Sequence, residues 1–156
     1  MNTASITLDK FQMLAKQSLA SISKNIIVKR QNRYDVFGEY QINNTENGFV
    51  VSRYNKEITT FVTSQNALSY CIFDKQTKIE EATSLVRLDK KLQSKLFDIE
   101  VAKHTLTHSK DQEKKFTAMA RIELYIDEVK IIKKLISDLV EKAKYFQQKE
   151  LDNEVN

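Results

Sequence analysis

His104 and His108 stand four residues apart, the spacing that puts two imidazoles on one face of a helix. Glu100 and Asp111 extend the same line. A metal centre needs three or four converging ligands with supporting hydrogen bonds, and here no third protein ligand is assured. Polar residues at a turn explain the pair, and no metal site is expected. Cys71 has no histidine near it in sequence and falls on the apolar face of a short helix, so it reads as a small buried residue. The carboxylate pairs Glu80-Glu81 and Asp127-Glu128 lie in lysine-rich helical stretches, and adjacent helical residues point in different directions. With glycine only at Gly38 and Gly48, no phosphate-cradling loop of the P-loop or dinucleotide type is possible. No catalytic residue and no cofactor is expected.

Basic side chains beside aromatics offer one further chemistry. Lys24, Lys29, Arg30 and Arg33 form the one local run of bases without an intervening acid, and Tyr34, Phe37 and Tyr40 follow. Such a segment could hold single-stranded nucleic acid through phosphate contacts and base stacking. Against this, basic residues also guard edge strands, and Tyr34 and Tyr40 share the face of Val36 and Ile42. Nucleic-acid binding is therefore the alternative expectation, not the first.

The elements that would position these groups can be read from periodicity. Thr7 suits an N-cap for a helix over Leu8–Ser23, with Leu8, Phe11, Ala15, Leu19 and Ile22 on one face. Ile26–Arg30 is short and β-branched. Tyr34, Val36, Tyr40 and Ile42 alternate with polar residues, the period of a half-buried strand. Asn43–Gly48 reads as a loop, Phe49–Tyr54 as a strand, Asn55-Lys56-Glu57 as a turn and Ile58–Thr63 as another strand. Short connections predict an antiparallel meander of three or four strands. Ser64 suits the cap of a short helix over Gln65–Asp74, and Thr77 with Glu80 has capping-box spacing for the start of a long one.

From Thr77 to Leu151 the chain carries heptads. Ile122, Val129, Ile136 and Ala143 recur every seventh residue, with Tyr125, Ile132, Leu139 and Phe146 three later. Leu85, Leu92, Ile99 and Leu106 answer them, although Lys95 breaks the companion series. The polar residues around His108–Asp111 turn one stretch back on the other, with Ser109 or Asp111 as cap, and a coiled-coil-like helical hairpin results. The expected fold is α+β and a single domain: helix and meander over residues 7–76, hairpin over 77–151, and a loose tail over 152–156.

The second leg carries more apolar residues than one partner helix can cover. A leg of about forty residues runs ~60 Å, whereas a small meander spans only ~20 Å. Phe116, Met119, Leu124, Ile126 and Ile131 fall in the distal part and call for a partner. A second copy, another protein or the amino-terminal helix would serve.

Composition sets the outer limits. Net charge is only +4 across 156 residues, and the long helices carry both signs interspersed, as on a solvated surface. One cysteine excludes an intrachain disulfide framework and suits a reducing compartment. No basic segment followed by an apolar run begins the sequence, and no stretch of about 18 apolar residues occurs, so neither a leader nor a membrane span is expected.

The run from Val62 to Ile72, leading through Asp74-Lys75 into Leu88-Asp89-Lys90-Lys91-Leu92, together with the closing Ala143-Lys144-Tyr145-Phe146-Gln147, resembles a pattern in small proteins of T4-like tailed marine phages. The likeness covers residues 34–148 and rests on structural motifs. It implies a phage product in the host-cell cytoplasm or the virion and transfers no catalytic residue. The function expected is structural, a virion or assembly component that associates with itself or a partner through the hairpin.

Overall fold

The structure, a computed structural model, describes residues 27–155 and the side chains of 27–148. The helix expected over Leu8–Ser23, the strand's first residue Ile26 and the basic Lys24 lie outside the described residues.

Five strands form one antiparallel sheet in chain order: β1 (Ile27–Lys29), β2 (Arg33–Val36), β3 (Tyr40–Thr45), β4 (Gly48–Arg53) and β5 (Lys56–Phe61). Three helices follow: α1 (Ser64–Lys75), α2 (Ile79–His108) and α3 (Gln112–Val155). The class is α+β, as the alternation followed by heptads predicts.

The count of five strands exceeds the expected three or four because the run from Tyr34 to Ile42 folds back on itself. Phe37 and Gly38 both take positive φ, 58° and 70°, and the Glu39 N–H reaches the Val36 carbonyl at 3.1 Å. That pair of conformations is what a twisted two-strand hairpin wants. The resulting register sets Val36 opposite Tyr40 and Tyr34 opposite Ile42, so all four stay on one face.

The next connections are tighter than expected. β3 continues through Thr45, and Gly48 at φ 122° restarts the chain with its α-carbon against β5; a Cβ there would lie 2.5 Å from the Phe61 carbonyl oxygen. The β4–β5 turn is Tyr54-Asn55, φ 50° and 65°, one residue earlier than composition suggests. Ser52 faces Glu57 while Val51 faces Thr59, so Ile58 is an extra residue that bulges out of β5.

α1 lies across the sheet. Thr63, not Ser64, caps it: its hydroxyl accepts from the Asn66 N–H at 3.2 Å. At the other end Thr77 adopts φ 58°, the Lys78 N–H bonds the Phe73 carbonyl at 2.8 Å, and the Thr77 N–H bonds that of Asp74 at 3.3 Å. This is a Schellman ending with threonine where glycine is usual. Thr77 therefore closes α1 and does not open a capping box for α2, whose N-cap Lys78 makes no side-chain capping bond.

α2 and α3 form the antiparallel hairpin. Asp111 is the cap of the second leg, its Oδ1 accepting from the Glu113 N–H at 3.0 Å, while Ser109 Oγ accepts from the Asp111 N–H at 3.2 Å. α3 runs on to Val155, so residues 152–155 continue the helix where a loose tail was expected.

The core gathers Val36, Tyr40, Ile42, Val51 and Phe61 from the sheet and Ala67, Cys71, Ile72 and Phe73 from α1. Against them pack Ala82 and Leu85 at the start of α2 and Ile132, Ile136, Val140 and Ala143 late in α3. Head and hairpin thus share a core only at the proximal end. Ile99, Ala102, Ala118 and Val129 are also buried, but they lie outside that cluster, in the seam of the distal hairpin.

Candidate functional site

The distal hairpin is held by a thin seam. Ala102 and Ala118 sit equally far from the turn and are both buried, so the two backbones approach closely there. Further down, Lys95 occupies the seam position where leucine would continue the heptad. Its amine lies 2.8 Å from Glu128 and 4.9 Å from the centroid of the Tyr125 ring, so the charge is placed over a π face beside a carboxylate. That pairing raises the Lys95 pKa, Glu128 being the main cause.

Outside the seam the hairpin is bare among the described residues. Phe116, Met119, Leu124, Ile126 and Ile131 are all exposed, from 40% for Ile126 to 76% for Phe116. Leu135 on α3 and Phe97 and Val101 on α2 join them. At 100° per residue the α3 set divides. Met119 and Ile126 occupy one flank, and Leu124, Ile131 and Leu135 the other. Phe116 lies near the outer crest, where Glu123, Asp127, Lys130 and Lys134 separate the flanks. The surplus is two apolar flanks rather than one strip.

The second flank borders a groove of about 670 Å3 between the distal halves of α2 and α3. Val101, Ala102, Thr105, Thr117, Ala118 and Tyr125 line it, with Asp98, Glu113, Lys114 and Arg121 at its edges. The small residues that let the helices approach also leave the depression. Phe97 and Val101 escape a reading centred on α3, although their spacing of four on the outer side of the Leu85 heptad marks them as a second apolar face.

The other sequence candidates are placed otherwise. His104 and His108 stack with centroids 4.1 Å apart on the exposed face of α2, and His108 Nδ1 lies 3.0 Å from the His104 carbonyl oxygen. Asp111 is occupied as a cap. Among the described residues no group of three or more His, Cys, Asp or Glu could hold a metal ion. Cys71 is fully buried, and burial drives its thiol pKa far upward, which disfavours the reactive thiolate.

Arg30 and Arg33 both close on one carboxylate, Asp35, at 2.5 and 3.0 Å, so two of the candidate phosphate contacts are engaged inside the chain. Lys29 is exposed. Tyr40 is buried, Tyr34 packs against the core, and Phe37 meets the Tyr40 ring edge-on at 6.2 Å. The aromatics face inward, away from any stacking partner.

The densest polar cluster ties the strand turns to the end of α1. The buried Tyr40 hydroxyl donates to Asp74, and Lys75 and Arg53 both reach Glu39, the latter at 2.9 Å. The Arg53 guanidinium lies 5.3 Å from the ring centroids of both Tyr40 and Tyr54. Burial and Asp74 hold the Tyr40 phenol far above its ordinary pKa, and Lys75 holds the Glu39 carboxyl below its own. The Tyr40 hydroxyl, the Glu39 carboxylate and the outer Arg53 nitrogens are each held by a partner within the chain, which clamps the strand turns to the end of α1. Among the described residues no helix is long and apolar enough to cross a membrane.

Comparison with family models, curated proteins and solved structures gives no match to this chain.

Proposed function

We propose that the chain is a structural or interaction protein without catalysis, which associates with a protein partner or with itself through the distal half of its helical hairpin. The observation that carries this reading is the exposure of Phe116, Met119, Leu124, Ile126 and Ile131 on a two-helix arm that no other described element covers. Burial of each such side chain contributes ~1.5–3 kcal/mol, so a surface carrying all five has a strong drive to be covered. The likeness to tailed-phage proteins points the same way, toward a virion part or an assembly factor.

Photo-crosslinking in the cells that make the protein tests this. A photoreactive residue at Ile126 or Ile131 is expected to capture a protein, and one at Lys134 or Glu141, on the polar crest, is not. Equal capture from flanks and crest, or none from the flanks, overturns the reading.

A further inference from the structure

β5 is the last strand of the sheet, and among the described residues no other backbone pairs with its outer edge. The two-residue turn at Tyr54-Asn55 makes Arg53 and Lys56 a hydrogen-bonded pair, and bonding alternates along an antiparallel ladder. Glu57, opposite Ser52, and Thr60, opposite Val50, therefore aim their N–H and C=O groups away from β4. Such an edge is a template for one more strand. The bulge at Ile58 turns that residue and Thr59 to the same side, toward α2.

A groove of about 510 Å3 separates this edge from α2. Ile79, Thr83, Val86 and Lys90 line it at helical spacing, and the buried Tyr70 and Ala82 form its floor. From Ile79 to Lys90 it runs ~16 Å, the reach of about five extended residues. Ile58 and Ile79 are exposed on its two walls. Arg87 and Lys90 line one end, both exposed, and among the described residues neither pairs with a carboxylate. Asp89, between them in sequence, accepts the Val62 N–H, so this basic end lies beside the end of β5.

We propose that the groove takes an extended acidic segment of a partner protein as an added strand, antiparallel to β5, with a carboxylate beside Arg87 and Lys90. Main-chain bonds to an edge strand supply affinity in this mode, and hollows for alternate side chains supply specificity. The residue that pairs with Thr60 points its side chain away from the groove, as Thr60 does, and its neighbours point in toward Ile79 and Val86. The occupant is a short foreign segment and not a second β5. Lys56 and the Ile58 bulge are features that keep two long edges from matching, and neither closes the groove to a segment of five residues. This surface belongs to the head and goes beyond the hairpin reading, which it neither needs nor supports.

The probe is the acetylated peptide Glu-Thr-Val-Thr-Val-Thr with a fluorophore on an added carboxy-terminal lysine. Its Glu and two Val share the groove-facing side, and its Thr residues carry the amides that face β5. Fluorescence anisotropy is expected to saturate with a dissociation constant below about 1 mM. N-methylation of the Thr amides should abolish binding, whereas N-methylation of the Val amides should leave it. Arg87→Glu combined with Lys90→Glu should weaken binding about tenfold, and both positions are exposed, so the fold is kept. Ile131→Lys on the hairpin should not change it, which separates this result from the crosslinking above. No saturable rise, equal loss from the two methylation patterns, or indifference to the charge reversal overturns the proposal. A dimer that Thr60→Pro dissolves, in a chain that binds no peptide, assigns the edge to a second copy and overturns it too.

Discussion

Asp89 shows how one side chain can carry a junction. It is buried in α2, where its Oδ1 accepts from Asn66 Nδ2 at 3.0 Å and its carboxylate also accepts the backbone N–H of Val62. It thereby ties the end of the sheet, the first turn of α1 and the start of the hairpin together. Burial is the largest influence on its pKa and raises it, with the two hydrogen bonds opposing. Across the window above its ordinary value of 3.8, the native chain keeps a proton that the unfolded chain has released. Stability from Asp89 therefore falls as pH rises through that window and levels off once the native carboxyl ionises. Glu39, held low by Lys75, has the opposite sign, its stability being lost as pH falls. The two separate in a difference experiment. Asp89→Ala should cost about 1–3 kcal/mol by leaving the Asn66 amide and the Val62 N–H without their acceptor. Subtracting the melting curve of Asp89→Asn from that of the parent, over roughly pH 3 to 7, should leave a downward slope with rising pH. A flat difference, or an Asp89→Ala chain as stable as the parent, would show that the carboxyl does not hold the junction.

Among the elements, the ending of α1 is where local chemistry and tertiary demand disagree most. Thr77 is β-branched yet held at φ 58°, because the chain must reverse there to lay α2 against α1. Such a conformation costs a non-glycine residue of order 1–3 kcal/mol, part of which glycine recovers. Thr77→Gly should therefore raise the urea midpoint by the equivalent of about 1 kcal/mol, despite losing the 2.6 Å bond from its hydroxyl to the Gln76 carbonyl. An unchanged or lower midpoint would mean that the ending is unstrained. The same conflict explains what could be read in advance and what could not. Alternation placed Tyr34, Val36, Tyr40 and Ile42 on one face correctly, since facing is a property of parity. It gave no sign of the turn among them, since Phe37 is a poor turn residue that the core holds at positive φ. Heptads located both legs of the hairpin, and Asp111 as a cap was legible from residue type. Lys95 looked like an error in the pattern because its partners, Glu128 and Tyr125, sit on the other helix. The exposed residues of α3 were legible as an apolar surplus, yet their division into two flanks and the groove beside Ala102 and Ala118 depend on how closely the helices approach.

At the scale of the whole molecule, the core ends where the hairpin leaves the head. Leu85 and Ile136 belong to the cluster built on the sheet, whereas Ala102 and Ala118 do not. A 30-residue α2 and a 44-residue α3 extend about 45 and 66 Å, so the distal arm stands well beyond strands of six residues or fewer. Beyond the head, an arm held by two alanines, a few larger seam residues and the Lys95–Glu128 pair has little to offset the entropy of ordering two helices. It should open without the head unfolding, as a separate cooperative unit of lower stability. Association would change that, because covering Leu124, Ile131 and Val101 adds burial to the arm alone. Amide hydrogen exchange then has a distinctive concentration dependence. In dilute protein, amides of residues 97–125 should exchange faster than those of β3, β4 and α1. As the concentration rises into the associating range, protection of 97–125 should climb while that of the head stays constant, because mass action stabilises the unit that carries the interface. Protection of the distal arm equal to that of the head at the lowest concentration would mean that the hairpin is self-sufficient, and the reason for expecting a partner on it would be gone.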